Sequence, residues 1–77
     1  MIEFSVKGLK GKINEDFILE MPNGDLKELL KKHIEVFLAG FRPQDGDPFL
    51  VFAERLSDIG IKVIKAEEMK DAENTVF

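Results

Sequence analysis

Asp45-Gly46-Asp47-Pro48 is a stretch of this 77-residue chain where side-chain types and spacing could do chemistry. Two carboxylates one residue apart are raw material for a calcium loop. An EF-hand loop needs oxygen ligands at positions 1, 3 and 5, glycine at 6 and glutamate at 12. Counted from Asp45, Asp47 fills the third position, but the fifth and sixth are Phe49 and Leu50. The run from Asn23 to Glu28 fails too, with Lys27 fifth and Glu28 sixth. A site assembled from several loops would draw on Asp45, Asp47 and either Asp25 or Asp58. The competing reading is structural. Aspartate before proline opens helices, because its carboxylate accepts the orphan first-turn N–H groups and proline presets φ. The helix opening is the stronger reading, and an acidic divalent-cation (calcium-like) binding protein using the 45–47 loop is the alternative.

Gly8-Leu9-Lys10-Gly11-Lys12, preceded by Lys7, offers a second kind of chemistry. The Gly-x-x-Gly spacing resembles the loop of KH RNA-binding domains, where backbone amides between two helices clamp phosphates. Here it lies between two strand patterns on an acidic chain. What the resemblance implies is a phosphate or RNA contact through three lysines and open backbone N–H groups. A solvated hairpin loop accounts for the same residues. His33 is the only histidine and lies on a helical apolar stripe between Leu30 and Phe37, where it reads as core-edge packing. The only serines, Ser5 and Ser57, have no base beside them in sequence, and Cys, Trp and Tyr are absent. No catalytic residue, cofactor or metal ligand is assigned, and no enzyme is expected.

Composition narrows the classes further. The net charge of −4 and pI of about 4.9 make nucleic acid an unlikely partner and argue against a membrane surface. No apolar run approaches the roughly 20 residues of a membrane span. The start, MIEFSVKGLK, alternates where a signal peptide would carry a basic region and an apolar block. A cytoplasmic protein is expected. The absence of cysteine excludes disulfides and thiolate-held zinc. One domain of this length buries only about 60% of the surface its unfolded chain exposes. Self-association is one remedy for so thin a core.

These residues are positioned by elements with clear periods. Ile2, Phe4 and Val6 alternate with Glu3, Ser5 and Lys7, as in a half-buried strand. Residues 7–12 read as a turn or bulged hairpin arm. A second strand is expected through Phe17, Leu19 and Met21, stopped by Pro22. From Asp25 the period becomes 3.6: Leu26, Leu29, Leu30, Ile34, Phe37 and Leu38 form one stripe. Asn23 or Asp25 is the expected cap and Gly40 the expected C-terminal glycine. A second helix runs from Pro48 to about Ile59, with Phe49, Phe52, Ala53, Leu56 and Ile59 on one side. Gly60 ends it before a strand over 61–65. The fold class is α+β: a two-layer ββααβ unit over 1–66 with both helices on one face of a small sheet. Two helices joined by a short link return the third strand parallel to the first. Residues 67–77 form an acidic tail with a frayed helical turn.

A strand at 49–53 is the other reading of that segment. With it the chain resembles the ubiquitin-like β-grasp fold. The resemblance rests on Phe4-x-Val6-Lys7-x-Leu9-x-Gly11-Lys12, the central helix, Leu50-Val51-Phe52-Ala53 and Leu56-Ser57-Asp58-x-x-Ile61. Only two residues separate Ala53 from Leu56, where that family places a loop and a further short strand. Phe77 stands last where conjugated members end in Gly-Gly, so the resemblance implies no conjugation or sulfur-carrier chemistry.

With helices on one face of the sheet, Phe4, Phe17, Leu19 and Val63 point toward them. Ile18 and Ile64 then point to the opposite face, which nothing else in the chain covers. They are the expected interface residues. The expected function is a small non-enzymatic protein-interaction domain, most simply a homodimer.

Overall fold

The computed structural model describes residues 1–68. Its elements are β1 Ile2–Val6, β2 Leu9–Ile13, β3 Leu19–Glu20, α1 Asp25–Gly40, a 3-10 turn Pro43–Asp45, α2 Pro48–Asp58 and β4 Lys62–Ala66. The four strands form one sheet in the order β3-β2-β1-β4, with every neighbouring pair antiparallel. This is a small α+β fold. The tail from residue 69 onward, with its expected helical turn, lies outside the described residues.

The hairpin closes on two residues. Val6 pairs with Leu9, and Lys7 and Gly8 turn the chain with φ of 50° and 80°. Positive φ at both central positions is the type I′ pattern, whose twist matches the strands it joins. Residues 7–12 were expected as a turn or a bulged hairpin arm, but Leu9–Ile13 is a regular strand. Its inward positions are Leu9, Gly11 and Ile13, paired with Val6, Phe4 and Ile2. Glycine interrupts the apolar pattern for a physical reason: the fully buried Phe4 ring lies across Gly11, occupying the space of a side chain.

The strand expected through Phe17 and Met21 shrinks to Leu19–Glu20. Before it, Asn14 holds a loop. Its Oδ1 accepts the Asp16 and Ile18 amides at 2.9 and 3.0 Å, and its own amide donates to the Ile18 carbonyl. Phe17 is left-handed in that loop, at φ 62°. Three strands therefore precede the helices where two were expected. The added reversal inverts the parity, so β4 runs antiparallel to β1 and not parallel to it.

The segment 48–58 is a helix, which removes the β-grasp alternative. Asp47 Oδ1 accepts the Phe49 and Leu50 amides at 2.9 and 3.2 Å, and Pro48 occupies the first turn. At the other end the Ile61 amide donates to the Leu56 carbonyl and the Gly60 amide to that of Ser57. Gly60 sits at φ 90°, completing a Schellman ending with Ile61 and Leu56 both buried. The caps of α1 differ from expectation. Gly24 is its N-cap with no side-chain bond, and Asn23 Oδ1 instead accepts from Lys27 Nζ at 3.1 Å. Gly40 is the last helical residue, followed by extended Phe41 and not by a left-handed cap. One core cluster joins Ile2, Phe4 and Ile13 of the sheet with Leu30, Ile34 and Phe37 of α1 and Phe49, Phe52 and Leu56 of α2.

Candidate functional site

The two carboxylates of the 45–47 loop are both engaged with backbone. Asp47 caps α2, as above. Asp45 Oδ2 accepts the Arg42 amide at 3.0 Å, while its own amide donates to the Arg42 carbonyl. Each oxyanion thus stands at a short helical start, where N–H groups lack intrahelical partners. Among the described residues no three His, Cys, Asp or Glu side chains gather as a metal-ligand group. His33 is half-buried on α1, next to buried Ile34.

Ile18 and Ile64 are both exposed, at 57% and 52%, but the fold does not bring them together. Ile18 precedes β3 at one edge of the sheet, and Ile64 lies in β4 at the other. In β4, Lys65 pairs with Glu3 and Val63 with Phe4, which leaves Ile64 as the extra residue of a bulge. It borders a depression of about 340 Å³ with Glu3, Lys10, Lys12 and Glu20. The outer sheet surface is therefore charged with both signs around one isoleucine.

Ile18 has different company. A depression of about 440 Å³ between the Asn14 loop and α1 is lined by Phe17, Ile18, Ile34 and Leu38, with Lys27, Lys31 and Glu35 at its rim. A second, of about 570 Å³, is lined by Phe17, Leu38, Phe41, Pro43 and Pro48, with Glu68 beside it. The two adjoin at Phe17 and Leu38, and together they make a trough of surface whose walls are mostly apolar.

Phe17 is the pivot of this surface. Its ring stacks on Phe49 with centroids 4.5 Å apart and planes 10° from parallel, and it also meets Phe37 and Phe52. Phe37 in turn contacts Phe41 at 5.2 Å and Phe52 at 4.8 Å, and Arg55 lies 5.5 Å over its ring. A left-handed aromatic residue costs on the order of 1–3 kcal/mol, and such conformations gather at functional sites. Ring stacking of about 0.5–1.5 kcal/mol per pair, beyond burial, offsets it.

Sequence reading singled out Ile18 and missed the trough around it. Leu38 was placed on the core stripe of α1, but is 46% exposed. Phe41 and Pro43 lie in a connection that carries no periodic signal. The geometry supplies apolar recesses with charged rims. Comparisons with protein-family models, with curated proteins and with solved structures find no match to this chain.

Proposed function

We propose that this chain is a small, non-enzymatic protein-interaction domain that associates with a second copy of itself through the trough at Phe17. The observation that carries this reading is the pair of adjoining apolar recesses, with Ile18 and Leu38 exposed on their walls. Recessed, pre-formed apolar surface of this kind is costly to leave in water and is suited to an anchor side chain. Its rim supports a second copy as the occupant. Lys27 and Lys31 lie on the same side of α1 as Glu35, one to two turns earlier. A two-fold axis sets the lysines of one protomer against the glutamate of the other, so the rim is complementary to itself. The thin core of a 77-residue chain adds a reason for such an interface.

The test is molar mass in solution by sedimentation or light scattering across micromolar to millimolar concentration. Twice the 8.8 kDa chain mass is expected at the upper end. Ile18→Lys places an ammonium in the trough and weakens the dimer by at least about tenfold. Ile64→Lys tests the outer sheet surface in the same way. Loss of the dimer in that variant alone moves the contact to the outer surface. A monomer at every concentration of the unmodified chain overturns self-association.

A further inference from the structure

We infer that the hairpin end of the outer sheet surface binds a phosphate oxyanion, held by Lys10, Lys62 and the Ser5 hydroxyl. The register sets Lys10 of β2 and Lys62 of β4 opposite the same residue of the central strand, Ser5, one on each side. All three point away from the core, because the neighbouring rung of Phe4, Gly11 and Val63 faces inward. Adjacent strands lie about 4.8 Å apart, so the lysine backbones stand about 10 Å apart with a hydroxyl midway. Two ammonium groups on flexible four-carbon stems close on one tetrahedral anion across that span.

Charge separates this rung from the next one along the sheet. There Glu3 lies between Lys12 and Lys65; Lys12 also pairs across to Glu20, and Lys65 holds Glu67 at 3.1 Å. That rung and its neighbours set three carboxylates against two ammonium groups. The Lys10–Ser5–Lys62 rung carries two positive charges and no carboxylate. The structure gives Lys10, Lys62 and the Ser5 hydroxyl no hydrogen-bond or ion-pair partner among the described residues. At about 10 Å apart the two lysines repel each other only weakly, and a bound dianion attracts both ammonium groups at once. Lys7, at the tip of the same hairpin, adds a third cation within the local field. Ammonium and hydroxyl groups are donors matched to the acceptor oxygens of a phosphoryl group. Glu3 and Glu20 close off the patch on one side, and the chain is net −4. A single phosphoryl group therefore fits, and a long polyanion does not.

This site does not depend on self-association, and its test reads a different signal. Amide resonances are followed as inorganic phosphate replaces chloride at constant ionic strength and neutral pH. Saturable shifts are expected at Ser5, Lys10 and Lys62. Lys10→Gln and Lys62→Gln each weaken the midpoint by about tenfold, with unchanged melts showing that the fold is intact. Lys32→Gln removes the same charge from the exposed side of α1 and leaves the midpoint where it was. Glycerol phosphate in a second arm separates two sources of the anion: equal midpoints indicate free phosphate, and a tighter one indicates a phosphomonoester. Shifts that fail to saturate, that persist at the same midpoint in both glutamine variants, or that weaken equally in Lys32→Gln overturn the assignment.

Discussion

Asp47 does at one position what a calcium loop and a helix start both require, which is to present an anion. The structure directs it to the Phe49 and Leu50 amides. Asp47→Ala is expected to lower stability by about 1 kcal/mol, within roughly 0.5–2. Asp47→Asn costs less, since its amide oxygen still accepts the bonds and only the charge–dipole interaction is lost. Melts of the three proteins with calcium and with chelator check this, and no calcium dependence is expected. If Asn matched Ala, and only in the presence of calcium, the carboxylate would belong to a cation. Gly11 makes a sharper demand. A Cβ there would stand 2.6 Å from Phe4 Cε1 and closer still to Cζ, and the Phe4 ring is fully enclosed. Gly11→Ala is expected to destabilise by about 1–3 kcal/mol through overpacking, read as a lower denaturant midpoint.

At the scale of elements, the β1–β2 hairpin carries a removable strain. Lys7 occupies a left-handed position that an ordinary L-residue enters at a cost of roughly 1–2 kcal/mol, whereas asparagine tolerates it. Lys7→Asn turns the loop into Asn-Gly and is expected to raise stability by up to about 1 kcal/mol. The denaturant midpoint should rise with the slope unchanged. A neutral or lower midpoint would mean that the Lys7 side chain contributes something its backbone does not reveal. The Phe17 loop presents the opposite case. There the strained residue is locked by Asn14 beneath it and by Phe49 stacked upon it, so relaxing the backbone would give up packing.

For the whole molecule, coupling of folding to association has a consequence apart from mass. If a second copy binds the native state and not the unfolded one, stability rises with protein concentration. The melting temperature is therefore expected to increase across a hundredfold range of concentration. Added salt should diminish that increase, because the Lys27 and Lys31 to Glu35 rim contacts are screened while the apolar trough is not. A melting temperature independent of concentration would sit with a monomer. The outer sheet surface then keeps its own charge pattern whichever state prevails, since it lies across the sheet from the core that both helices cover.

Local chemistry was readable from the chain itself. The 3.6-residue stripe of α1, the Asp47-Pro48 start and Gly60 end of α2, and the alternation of β1 each follow from backbone hydrogen bonding and side-chain period within a few residues. The α+β class followed from their order. What the sequence could not settle depended on contacts between distant residues. Gly11 looked like a turn because the Phe4 ring that replaces its side chain comes from another strand. Phe17 looked like a strand residue because its left-handed backbone is held by Asn14 and rewarded by Phe37, Phe49 and Phe52 from two helices. The strand at 9–13, where a turn was expected, added a third strand before the helices and reversed the direction of β4. The Asn14–Ile18 loop set Ile18 at the opposite edge of the sheet from Ile64 and beside the trough along α1. Side-chain period reports which residues avoid water; only tertiary packing decides which of them meet.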